Sequence, residues 1–135
     1  MEQSQAQIRK GIVLIVKRKD GKLLLFVHGR DGLWSLVSGG CEPGEEILDT
    51  VVREAKEEAN LDIEKSKIIE TDEIIRFVSS KGPGEQRVFV YTTENTDNIK
   101  PDGEETIEMG WFTKDEAIEK LNQKPPLVEI VKKLA

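Results

Sequence analysis

A glycine turn feeding an acid-studded helix constrains this chain more than any other feature: Gly39-Gly40-Cys41-Glu42-Pro43-Gly44-Glu45, followed by Arg53-Glu54-Ala55-Lys56-Glu57-Glu58. Residues three and four apart are neighbours on an α-helix, so Glu54, Glu57 and Glu58 crowd together once that helix forms. Each like-charged pair costs a bare helix roughly 0.2–0.5 kcal/mol, and a hard divalent cation between them removes the penalty. Carboxylate oxygens with a backbone carbonyl suit magnesium or manganese, which keep several waters and take their other ligands from substrate phosphates. The run reads as a magnesium site for phosphate chemistry. Residues 47–59 also align Leu48, Val51, Val52, Ala55 and Ala59 in a helical stripe, so one face is expected to pack while the glutamates occupy the other.

Residues 39–61 resemble the Nudix box, G-x5-E-x7-R-E-U-x-E-E-x-G-U with U a bulky aliphatic residue. They match it at Gly39, Glu45, Arg53, Glu54, Glu57, Glu58 and Leu61. Two positions depart, Ala55 for a larger aliphatic residue and Asn60 for glycine. Neither removes a candidate ligand, and asparagine tolerates the left-handed conformation that ends a helix. Upstream, Trp34-Ser35-Leu36-Val37-Ser38-Gly39-Gly40 resembles the strand and loop that enter the box, with Val37-Ser38 where Pro-Gly is frequent.

The resemblance implies an α/β protein with the Nudix (MutT-like) α/β/α sandwich, a mixed sheet between helices. It also implies a hydrolase that uses water to split a phosphoanhydride bond in a nucleoside diphosphate linked to another group, with Mg2+, or Mn2+, as cofactor. By match to the pattern, Gly39 supplies a carbonyl ligand and Glu54, Glu57 and Glu58 supply carboxylates. Arg53 orients Glu45 and one ligand glutamate through charge-assisted hydrogen bonds. Glu54, Glu57 and Arg53 form the catalytic set, with Glu54 the first choice of general base. Glu105, six residues before Trp111, stands where several relatives carry a further metal-binding or catalytic glutamate, and Glu104 replaces it if the loop shifts. The accessory signatures of ADP-ribose, dinucleoside polyphosphate, coenzyme A and NADH enzymes are missing, which leaves a nucleoside triphosphate or a broad-range pyrophosphatase.

Charge distribution supports the same site. The chain carries a net charge of −6, and residues 39–61 hold seven acids and two bases, so most of the excess lies in the box. Such a patch repels phosphates when empty and attracts them once cations are bound. An acidic chain without a basic stripe argues against duplex nucleic acid as the main partner; the partner that the resemblance implies is a small nucleotide. With 34% charged residues, a glutamate-rich helix alone would read as a solvated face; Gly39, Glu45 and Arg53 in register are what separate it from that reading. Two rival functions stay open. A non-catalytic Nudix-like nucleotide sensor binds without turnover, and an acidic docking helix shows no metal dependence.

The 135 residues suit one domain, expected over residues 8–135, with a polar, disordered tail at 1–7. No apolar run reaches the ~20 residues needed to span a bilayer, and the polar start lacks a signal-peptide core, so a cytoplasmic location is expected. The single Cys41 excludes an intrachain disulfide and reads as a small buried hydrophobe. A homodimer is compatible with the sequence, although no long apolar stripe demands one. His28, the one histidine, reads as a surface or pocket-rim residue; no G-x-S-x-G elbow presents a serine to it. Arg30, Arg76 and Arg87 are candidate phosphate contacts. For Trp34, Phe77, Phe89 and Tyr91, core packing is the default over base stacking.

Periodicity places strands at 8–17 and 23–27 around a Lys17–Lys22 turn that carries Asp20-Gly21, and the box helix at 47–59. Strands at 67–78 and 86–93 are expected around an irregular loop, Ser79 to Glu85, that reaches over the site. A loop from Glu94 to Glu105 leads to a strand near 107–112. Thr113 and Glu116 form a capping box for a helix through Leu121, and Pro125-Pro126 separates it from a last helix ending near Leu134.

Overall fold

The computed structural model describes residues 8–94, 96, 98–101 and 103–135; the expected tail at 1–7 lies outside the described residues. Strand β1 (Arg9–Arg18) carries an unbroken apolar run, Ile12 to Val16, and each of these side chains is almost wholly buried. Such a run needs cover on both faces, as a central strand has. On one side β1 runs parallel to β6 (Gly82–Thr93) from Arg9 opposite Gly84 to Arg18 opposite Thr93, and β5 (Ile69–Ser79) flanks β6 antiparallel. On the other side β1 meets β2 (Leu23–His28) only at the hairpin end, Lys17 opposite Leu23. Beyond that pair the two strands part. The gap is filled by β3 (Trp34–Ser35) on β2 and by β4 (Val37–Gly40) on β1, and β7 (Thr106–Phe112) closes the far side of β2. The parting leaves a cleft between the start of β1 and the end of β2.

Side-chain alternation divides the core into two layers. Ile12, Leu14, Val16, Leu24, Phe26, Phe89 and Tyr91 face α1 (Ile47–Ala59). Val13, Ile15, Leu23, Leu25, Val88 and Val90 face α2 (Lys114–Lys120) and α3 (Pro125–Leu134). The result is the expected α/β/α sandwich with a mixed sheet. Among the described residues, no helix is long and apolar enough to cross a membrane.

Several local expectations hold. Asn60 ends α1 in the left-handed region, at φ 53°, and its N–H donates back to the last turn. Thr113 and Glu116 form the reciprocal capping box of α2. Four readings need correction. Residues 82–85 belong to β6, so the β5–β6 connection is a tight turn and not a loop over the site; Ser79 pairs with Gly82, and main-chain pairing overrides the loop-like composition. Pro125 and Pro126 form the first turn of α3, where a missing N–H costs nothing, instead of standing ahead of it. Cys41 is only partly buried and lines the cleft. On α1, Glu54 and Glu58 are buried along with Val51, Ala55 and Ala59 while Glu57 is exposed, so the packing stripe and the glutamates do not divide into two clean faces.

Candidate active site

Arg53 organises the turn that precedes α1. Its guanidinium donates to both carboxylate oxygens of Glu45, from Nε at 2.9 Å and from Nη2 at 3.0 Å, and Nη2 also donates to the Gly40 carbonyl at 2.9 Å. Glu42 lies 2.9 Å from Nε, while Nη1 faces Glu57 at 3.3 Å and Glu54 at 3.6 Å. One planar fork thus ties the turn, the strand end and the helix together, which a point-charge lysine could not do. Glu45 further accepts from the Thr50 hydroxyl at 2.7 Å and the Glu42 N–H at 3.0 Å. Held first by Arg53, the Glu45 carboxyl drops to about 2.

Glu54 stands directly against Gly39. A β-carbon on Gly39 would lie 1.3 Å from Glu54 Oε2, so the carboxylate occupies the space that any other residue would fill. Glu58, one turn on, accepts from the Ser38 N–H at 3.0 Å, and its second oxygen lies 4.0 Å from His28 Nε2. Glu57 is different: its side chain is 50% exposed and pairs with Arg53. Opposite these groups, Gly29 donates its N–H to the Glu105 carbonyl at 2.7 Å, and a β-carbon there would meet the Glu104 carbonyl at 2.2 Å. That close approach brings Glu104 and Glu105 to the cleft.

The cleft measures about 1120 Å³ and takes its walls from β1, β2, β4, α1 and the Glu104–Glu105 segment. Burial dominates its electrostatics. Glu54 rises to about 7, mainly by desolvation, opposed by Arg53 and reinforced by Glu57. Glu58 rises to about 8, again by desolvation, opposed by the Ser38 N–H and reinforced by Glu54 and Glu105. Desolvation lowers His28. These shifts give a test on metal-free protein. Carboxyls whose folded values lie above their unfolded ones bind extra protons in the folded state, so stability falls as pH rises through the folded values. His28 is neutral in both states above about pH 7 and adds nothing there. The melting temperature of chelator-treated protein is therefore expected to fall from about pH 7 to pH 8.5, and Glu58→Gln should flatten that slope. A melting temperature that rises over the same interval would overturn the assignment.

Of the residues singled out from sequence, Gly39, Glu54, Glu57, Glu58, Glu105, Glu104 and Arg30 line the cleft, with Arg53 and Glu45 behind them. Arg76 and Arg87 do not reach it. Strand alternation sends Phe77 and Gln86 into the cleft and turns Arg76 and Arg87 to the opposite face, where they face Glu85 at 3.8 Å and Glu70 at 3.3 Å. Phe89 and Tyr91 are core residues, whereas Phe77 is 41% exposed on the cleft wall. His28 is more enclosed than a rim residue, and its buried Nδ1 has no partner among the described residues. Arg9, Lys10, Ser38 and Gln86 were not readable as site residues, because their place depends on how β1 and β2 diverge. Among the described residues, no three acidic, histidine or cysteine side chains converge closely enough to hold a metal ion as they stand.

Comparison with known proteins matches a family model described as NUDIX domain to residues 7–134. The NAD-capped RNA hydrolase NudC of Vibrio vulnificus is 27% identical over 108 residues, covering 76% of this chain and 38% of its own length. The human 8-oxo-dGDP phosphatase NUDT18 is 30% identical over 117 residues, covering 78% of this chain and 34% of its own. The chain thus spans less than half the length of the curated relatives it matches. Among solved structures, a C. elegans Ap4A hydrolase binary complex superimposes with a TM-score of 0.77 at 22% identity, covering 93% of this chain and 94% of that one.

Proposed function

The chain belongs to the NUDIX domain family, and from that premise we propose that it is a Mg2+-dependent pyrophosphohydrolase. It would cleave a phosphoanhydride bond in a nucleoside diphosphate linked to another group, a nucleoside triphosphate or a related nucleotide, by attack of water. The observation that carries this reading is the Arg53 fork, which joins Glu45, the Gly40 carbonyl and Glu57 and so sets the α1 carboxylates at the head of the cleft. A docking helix has no need of that fork. The curated relatives, an NAD-capped RNA hydrolase and an 8-oxo-dGDP phosphatase by name, support a nucleotide-related substrate.

The donor set fits a hard divalent ion. All its members are oxygens, two of the carboxylates are buried with raised values, and Gly39 leaves room for Glu54. Glu54, Glu57 and Glu58, with the Gly39 carbonyl and Glu105, would hold it. When bound, the ion neutralises phosphate charge and favours ionisation of the attacking water. Arg53 keeps the turn and helix in register during the reaction. Glu54, facing the cleft from beneath Gly39, is placed to take the proton of the water as its oxygen bonds to phosphorus. The bridging P–O bond then breaks, and the leaving phosphate departs past Arg30. We also assign residues 8–135 to one domain and place the protein in the cytoplasm.

The test is product analysis by anion-exchange chromatography, with magnesium and a panel of nucleoside triphosphates, nucleotide sugars, ADP-ribose and dinucleoside polyphosphates. Metal-dependent cleavage of one class is the expected outcome. Nucleotide binding without turnover across the panel would favour a non-catalytic sensor instead.

A further inference from the structure

The sheet register lays out a glycine-floored trough on the face of the sheet opposite α1, at the end where β1 begins, and it opens into the cleft that holds the α1 carboxylates. Gly40 of β4, Gly11 of β1 and Gln86 of β6 form one row, and Arg9, Gly84 and Phe77 form the next. Residues paired in register project to the same face of a sheet. Gly11, Gly40 and Gly84 therefore make a floor without side chains, and Arg9, Phe77 and Gln86 rise from it. All three line the cleft that holds Glu54, Glu57 and Glu58.

Each of the three has unused binding capacity. A β-carbon at Gly84 would lie 2.4 Å from Phe77 Cζ, so the ring rests across bare backbone, yet the residue stays 41% exposed. Gln86 is half-buried, and its side-chain amide has no hydrogen-bond partner among the described residues. Arg9 has no ion-pair partner among the described residues. Three strand spacings across the sheet and a two-residue step along it, about 16 Å in all, separate Gly40 from Phe77. A nucleoside extending from phosphates at the carboxylates spans that distance, and inorganic pyrophosphate does not.

We infer that Phe77, Gln86 and Arg9 form the base-recognition subsite for a nucleotide whose phosphates lie at Glu54, Glu57 and Glu58. The inference rests on the nucleotide reading proposed above. Phe77 supplies a stacking face, and base–aromatic stacking tolerates any base. Gln86 carries a donor and an acceptor side by side and reads the edge of the stacked base. Arg9 attends the phosphate that joins the sugar to the reacting anhydride.

The experiment is titration calorimetry on the full chain with magnesium, using α,β-methylene-ADP and inorganic tripolyphosphate as probes. Phe77→Ala and Phe77→Leu should each weaken the nucleotide analogue by roughly 5- to 150-fold, the size of one lost stack. Phe77→Trp should retain binding, and tripolyphosphate affinity should stay the same in all three. Phe77→Leu keeps the apolar contact with Gly84, so it separates stacking from folding. Unchanged analogue affinity in Phe77→Leu, or equal losses for both probes, would overturn the subsite. Analogue binding without hydrolysis of the natural nucleotides would sink the hydrolase and leave the subsite standing; turnover with unaffected Phe77 variants would do the reverse.

Discussion

Glu57→Gln should lower metal-dependent hydrolysis by roughly 10²–10⁴-fold, the range expected when a group acting in the transition state is lost. The same change should move stability by less than about 0.5 kcal/mol, because surface substitutions away from packed features do little. The Glu57 side chain is half exposed and pairs with Arg53, so glutamine keeps its shape and loses one charge. The contrast with its neighbours is physical. Glu54 and Glu58 are 7% and 3% exposed, and altering either also alters the contact with Gly39 or the bond from Ser38. Glu57 is thus the cleanest test of ligand chemistry, read by steady-state turnover, thermal melting and magnesium titration on one preparation. Full turnover in a folded, contaminant-free Glu57→Gln protein would remove Glu57 from the site.

Arg53→Ala should damage both folding and function. Glu45, only 15% exposed at its side chain, would keep the Thr50 hydroxyl and the Glu42 N–H but lose both guanidinium bonds. Glu42, Glu54 and Glu57 would lose their nearest shared cation. Charge-assisted hydrogen bonds of this kind give an expected cost of about 2–3 kcal/mol, or a fall of roughly 6–12 °C in melting temperature. Metal affinity should drop by about 10–100-fold, as it does when groups that orient ligands are removed. Arg53→Lys should restore little, because a lysine cannot engage both Glu45 oxygens and the Gly40 carbonyl. Wild-type melting and metal affinity in Arg53→Lys would show that charge alone, and not the fork, matters.

How much of this was legible in the sequence follows from how local each feature is. Helix spacing put Glu54, Glu57 and Glu58 on adjacent turns, and the resemblance to the box implied that Arg53 orients Glu45. The left-handed end at Asn60 and the Thr113–Glu116 cap were equally local. The β5–β6 turn was misread because Gly82, Pro83 and Gly84 have loop composition, yet they pair with Ser79, Val78 and Phe77. Arg76 and Arg87 were singled out for their charge, and strand parity, which depends on register, turned them away from the cleft.

By itself the sequence determined the chemistry available: an oxygen-rich, anionic helix, a glycine turn ahead of it and an arginine beside its carboxylates. Those features repeat at helical or turn spacing and need no distant partner. Only the tertiary structure decided how each is used. The parting of β1 from β2 made the cleft, and packing α1 against the sheet buried Glu54 and Glu58 while leaving Glu57 exposed. The same register brought Phe77, Gln86 and Arg9 beside them from strands far apart in the chain. Burial and register are properties of contacts between elements, and no single segment encodes them.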